Sequence, residues 1–258
     1  RAGAFFAFLV AFRTGNPWLG AAAGAGAGVA FALVLAWLAI HWRSDQVVTG
    51  IALNLIAMGL MSYLMKAVLD KEGSTDALAP TAKFGPLLFG KNLFTLAAVV
   101  TPFVMHFLLY RTVWGLRTRA VGEHPRAAES LGISVYGLRY VAVLGSGALA
   151  GIGGACLPLA LEGRFTDHMP AGQGFIALAA VVFGKWRPLG ALAAAAFFVT
   201  AQALQLTLQH SHVEWVQSIP KGFFFAFPYV VTLLALAGFV GRAVPPAADG
   251  IPYVRGER

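Results

Sequence analysis

Apolar residues run through this chain in long unbroken stretches, and polar residues are confined to short intervals between them. The stretches fall at 2–12, 19–40, 47–69, 93–110, 141–161, 170–184, 189–208 and 222–241. The intervals are rich in turn formers: "TGNPW" at 14–18, "HWRSDQ" at 41–46, "KWRP" at 185–188 and "SIPKG" at 218–222. A helix of about 20 apolar residues crosses the hydrocarbon core of a bilayer, and in lipid a helix satisfies its own backbone hydrogen bonds. The pattern predicts an all-α fold, a polytopic integral membrane helix bundle with about eight transmembrane segments. No separate soluble domain fits between the runs, so residues 1–258 are expected to form one transmembrane domain. Two runs are too short for an ordinary crossing. The run at 2–12 is expected to be the end of a helix begun before Arg1, leaving no signal peptide to read. The run at 170–184, introduced by Pro170 and Gly172, is expected to be broken or re-entrant.

Composition agrees. Hydrophobic residues make up 58% of the 258, charged residues 12%, against about a quarter in soluble proteins. Mean hydropathy is +0.72. The single Cys156 lies in an apolar run and reads as packing, with no disulfide framework. The net charge of +8 is spread over loops, which argues against a nucleic-acid partner and for a topology signal. If 111–140 faces the cytoplasm, parity puts 41–46, 185–188 and the tail from 242 on the same side. These intervals carry most of the arginines, among them Arg43, Arg117, Arg126 and Arg187, and leave the C-terminus cytoplasmic.

Small residues recur every four positions at Gly20, Gly24 and Gly28, and again at Gly147 and Gly151. Such faces let helix backbones approach closely and predict a tightly packed bundle. All eleven acids lie outside the runs. A proton-driven carrier needs a buried carboxylate or histidine, and His106 alone qualifies. "GPLLFGKN" at 85–92 approaches a phosphate loop, but Asn92 stands where the magnesium-holding hydroxyl belongs and no strand precedes it. The histidines at 41, 106, 124, 168, 210 and 212 show no metal-ligand spacing, so no cofactor or metal is expected on this chain and no catalytic residue is found.

One interval differs from the rest. "PRAAESL" at 125–131 places Pro125 as a first helical residue and Gly132 just past the end, while Ser134 is set to cap the helix that follows. The prediction is a rigid helix of about two turns on the cytoplasmic side, with small Ala127 and Ala128 and exposed Arg126 and Glu129. From spacing alone it is equally a docking element or an interfacial helix held to membrane lipid by arginines.

"AVGEHPRAAESLGI" at 120–133 resembles the cytoplasmic coupling segment of permease subunits of bacterial ABC importers of the ribose, branched-chain amino acid and nucleoside group. Ala127, Ala128 and Gly132 match the wider importer pattern, with Arg126 where Glu usually stands. "DQVVTGIALNLIAMGL" at 45–60, "GSGALAGIGGA" at 145–155, "GQGFIALAAVVFGKWRPLGAL" at 172–192 and "GIPYVRGER" at 250–258 are similar in turn, above all to nucleoside or simple-sugar permeases. The resemblance implies a multi-pass protein of the bacterial cytoplasmic membrane that is not itself an enzyme. Its implied partners are an ATP-binding subunit that holds ATP and magnesium, a second permease subunit, identical or homologous, and an extracytoplasmic binding lipoprotein or periplasmic protein. Within the coupling segment 111–140, the implied ATPase-docking residues are Gly122, Glu123, Arg126, Ala127, Ala128, Glu129 and Gly132.

Polar groups inside the runs mark a path, or hydrogen bonds between helices. Asn54, Met58, Met61, Ser62 and Met65 share one helical face, and Gln202, Gln205 and Gln209 form another stripe. Amides without charge suit a neutral polar solute, and Phe175 beside a glycine-rich break is placed to stack on a base or sugar. The expected translocation path is therefore Asn54, Met58, Ser62, His106, Phe175, Gln202 and Gln205, with a nucleoside as first cargo, then a simple sugar, then a branched-chain amino acid. An ion- or proton-coupled secondary transporter and a purely structural membrane scaffold remain as rivals.

Overall fold

A computed structural model describes residues 1–85, 92–167, 169, 172–209 and 243–254, apart from the side chains of Leu206 and Gln209. The expected run at 222–241, most of the "GPLLFGKN" stretch and His168, His210 and His212 lie outside the described residues. Every regular element among the described residues is helical, and one isolated bridge, Ser74 with Thr166, is the β pairing.

Local signals set the helix ends. Helix α1 (Ala2–Thr14) stops at Gly15, which is left-handed with φ 68°. Asn16 then caps α2 (Pro17–Ala36) by accepting from the Trp18 amide at 2.9 Å, and Pro17 supplies the first turn. A π turn, Trp37–His41, extends α2. Asp45 accepts from the amides of Val47 and Val48 to start α3 (Gln46–Leu69). After α4 (Leu93–Arg111), Thr112 caps α5 (Val113–Glu123), which is followed by α6 (Pro125–Ser130). Ser134 caps α7 (Val135–Cys156), continued by a π turn at Leu157–Leu161. The span expected from 141 therefore begins six residues earlier, because its first turn is polar while its backbone is already helical. Helices α8 (Gln173–Phe183) and α9 (Pro188–Gln209) follow.

Five helices among the described residues are long and apolar enough to cross a membrane: Pro17–His41, Gln46–Leu69, Leu93–Arg111, Val135–Leu161 and Pro188–Gln205. With the shorter apolar α1 and α8, they make a polytopic helical membrane protein.

The chain forms two compact units. In the first, made of Arg1–Ala98, Thr112–Ala171 and Pro246–Arg258, α1 is packed against α2 and α7, and Phe5 and Phe8 are wholly buried. Helix α1, where a partial span is expected, is thus a central element of this unit. Glycines make this packing possible. A Cβ on Gly24 would lie 2.9 Å from both the Ala155 methyl and the Gly3 carbonyl oxygen; one on Gly28 would strike the Gly147 carbonyl oxygen, and one on Gly151 that of Gly24. Lipid tails offer no hydrophobic drive between apolar helices, so close backbone contact supplies the attraction.

Beyond α3 and α7 the unit closes in a cap. The Thr75 amide donates to the Phe165 carbonyl at 2.9 Å, the Phe165 amide returns to the Thr75 hydroxyl, and Leu78 and Phe84 donate to Gly163 and Leu159. Phe165 is buried among Phe5, Met61 and Met65. On the surface, Lys66 at 2.5 Å holds the Glu72 carboxyl below its ordinary range. In the second unit, Val99–Arg111 with Gly172–Pro245, α8 and α9 form a hairpin in which Gly184 and Gly190 meet backbone to backbone. Helix α8 has eleven residues, about half the length an α-helix needs to cross the hydrocarbon core.

Candidate functional site

The polar end of the first unit gathers α5, α6, the start of α7 and the tail from Pro246. Helix α6 is closed at both ends. Pro125 opens it, and Gly132 follows it in the left-handed conformation, φ 78°. The Gly132 amide donates to the Glu129 carbonyl at 2.8 Å and the Ile133 amide to Ala128 at 3.1 Å, the paired bonds of a Schellman ending. No side chain need follow Gly132 into that conformation, and nothing lies within 4 Å of where its Cβ would stand.

The seven coupling candidates do not share one surface. Glu123, Arg126 and Ala127 are exposed, with Leu131 beside them 80% exposed. Ala128 is 2% exposed and packs with Val121, Val135 and Tyr253, so its methyl belongs to the interior and not to a docking face. Glu129 is half-buried, and its carboxylate accepts a hydrogen bond from the Tyr253 hydroxyl. Gly122 lies against Pro246, and its carbonyl accepts from the Ala248 amide at 2.9 Å.

Three of the four intervals that charge parity groups together meet here. Leu35, Ile40 and Gln46 from the α2–α3 end, Thr118 and Gly122 from α5, Arg139 from α7 and Asp249 from the tail surround one cavity of about 280 Å³. The interval 41–46, the coupling segment and the tail therefore occupy one end of this unit.

The stripe on α3 divides. Met61 and Met65, which share its helical face, are 2% and 1% exposed and fill the core beneath α1. Asn54 and Met58 stay exposed in line with Ser62, one helical turn apart each. Ser62 donates to the Asp167 carboxylate at 3.0 Å, bringing an unexpected acid beside the stripe. A helical wheel places residues on a face but does not say which neighbour covers which half of it.

The remaining path candidates lie in the second unit. Phe175 on α8 is 68% exposed, while Gln202 and Gln205 are half-buried three residues apart on α9. His106 stacks on Tyr110 with ring centres 4.8 Å apart, and its Nδ1 is buried without a hydrogen-bond partner among the described residues. With Phe183, Lys185, Arg187 and Phe197 it lines a cavity of about 710 Å³.

A family model described as the permease component of branched-chain amino acid transport systems matches residues 2–237. The chain is 41% identical over 254 residues to the guanosine ABC transporter permease protein NupQ of Bacillus subtilis (strain 168), covering 94% of this chain and 79% of that one. It is 37% identical over 256 residues to the nucleoside ABC transporter permease protein NupC of Lactococcus lactis subsp. cremoris, covering 95% and 80%. A putative glucose ABC transporter permease protein of Haloferax volcanii, TsgC13, is 37% identical over 218 residues, covering 80% and 66%. No solved structure matches.

Proposed function

Because this chain belongs to the permease family of branched-chain amino acid and related ABC transport systems, we propose that it passes a nucleoside inward across the bacterial cytoplasmic membrane, driven by ATP hydrolysed on a separate subunit. The similarity to NupQ over nearly the whole chain carries this reading. Its C-terminus then lies in the cytoplasm, on the side where loop arginines concentrate. Arg126 and Ala127 on α6, with Leu131 just past its end, form the surface offered to the ATPase, and a second permease subunit completes the pore. An extracytoplasmic binding protein delivers the cargo. ATP and magnesium stay with the ATPase.

Asn54, Met58 and Ser62 supply one wall of the path: an amide and a hydroxyl for ribose and base edges, and a pliable thioether between them. Taken by itself, the second unit carries groups suited to the same class of solute: the amides of Gln202 and Gln205, the exposed ring of Phe175 and the ring nitrogen of His106. The similarity to TsgC13 favours a simple sugar as the second reading.

Reconstituting the chain with the ATPase, second permease and binding protein encoded beside it in proteoliposomes tests both. Labelled guanosine should accumulate only with ATP, and excess unlabelled nucleoside should suppress uptake while glucose and leucine do not. Suppression by glucose would move the cargo to a sugar. Uptake that survives without ATP and collapses with the proton gradient would overturn the ABC mechanism.

A further inference from the structure

Helix α6 has six residues, too few to hold its own shape in water, yet the proposed coupling mechanism needs it to move as a solid piece. Its two end caps define where it stops but not what it leans on. That support comes from the other end of the chain. The tail Pro246–Val254 lies past residues 2–237, which the family model matches, and it touches α5, α6 and α7.

At α5, the Ala248 amide donates to the Gly122 carbonyl at 2.9 Å, and the Ala247 amide to the Glu123 carboxylate at 3.4 Å. At α7, the Arg139 guanidinium donates to the Ile251 carbonyl at 3.0 Å, and the Tyr136 hydroxyl to the Tyr253 carbonyl at 3.1 Å. Between them sits Tyr253, 6% exposed, its ring edge-on to Tyr136 and 5.9 Å from the Arg139 guanidinium. Its hydroxyl donates to Glu129 of α6, and its ring covers Ala128. Without this ring Ala128 would keep Val121 and Val135 beside it but lose its cover from the tail, and the tail would no longer tie α6 to α7.

We infer that Tyr253 is a positioning residue for energy coupling, clamping α6 to α7 so that displacement imposed on α6 by the ATPase is passed to the packed helices α1, α2 and α7. This rests on the reading of α6 as the ATPase-docking helix. The clamp does not touch ATP or cargo. It converts a short lever into part of a rigid body, and its loss should separate hydrolysis from transport.

The test uses the full complex in proteoliposomes and reads three quantities: ATPase captured by a crosslinker at Ala127→Cys, ATP hydrolysed, and solute taken up. Tyr253→Ala should leave capture and hydrolysis within about twofold while uptake per ATP falls roughly tenfold, in the usual range of coupling between sites. Tyr253→Phe keeps the buried ring and removes only the hydroxyl, so it should fold normally and lose roughly two- to fivefold. Glu129→Gln, whose amide oxygen still accepts, should hold the wild-type ratio, and Glu129→Ala should match Tyr253→Phe. An unchanged uptake-to-ATP ratio in Tyr253→Phe and Tyr253→Ala, with capture intact, would overturn the inference alone. Failure of the Ala127→Cys protein with native Tyr253 to capture the ATPase would overturn the docking reading, and the inference with it.

Discussion

The three-helix packing of α1, α2 and α7 and the tail-bound helix α6 are held by opposite means. In the bundle, backbones touch at Gly3, Gly24, Gly28, Gly147 and Gly151, and almost no polar side chain takes part. At α6 the contacts are a few named polar groups around one buried aromatic ring. The first arrangement has no slack, since a single methyl group collides with a neighbouring helix. The second can be undone one bond at a time. A body that must move without deforming suits the first, while the second holds one short helix in place through contacts that can be removed singly.

Four substitutions would sharpen or break that contrast. The largest effect is expected at Gly28→Ala, whose new methyl strikes the Gly147 backbone; overpacking against immovable atoms should cost about 3 kcal/mol or more, visible as loss of folded protein in detergent. Next comes Ala127→Trp, which is exposed and should leave thermal stability unchanged while lowering the amount of ATPase that co-purifies with the chain roughly tenfold. Gly132→Ala should cost about 1 kcal/mol, because only the left-handed backbone resists the new side chain and no neighbour does; a thermal melt measures it. The smallest is Gly26→Ala, two residues from Gly28 but with nothing within 4 Å of its Cβ. It should be neutral or stabilise by up to about 1 kcal/mol through helix propensity, and equal damage at positions 26 and 28 would refute the close-contact account.

Much of the fold is readable from residue order because it depends on local physics. A stretch of about 20 apolar residues needs a helix in lipid whatever its neighbours, and Asn16, Asp45, Thr112, Ser134 and Gly132 act on backbone groups two to five residues away. The four-residue spacing of Gly24 and Gly28, and of Gly147 and Gly151, also foretells close packing. The site is less readable. Ala127 and Ala128 look alike in sequence, yet one is open and the other closed over by Tyr253, 125 positions later in the chain. Met58 and Met61 share a face by periodicity, yet Met61 is covered by core residues. In a soluble helix the apolar face marks the interior. In this chain lipid-facing and protein-facing sides are both apolar, so the pattern carries no such mark.

The sequence by itself determined that this is a helical membrane protein, where most helices begin and end, and that α6 is a short capped element, since each follows from interactions within a few residues or with the solvent. Only the tertiary structure decided that α1 is central, that Asp167 joins Ser62, and that the tail clamps α6, because these pair groups remote in sequence whose meeting depends on how every intervening helix packs.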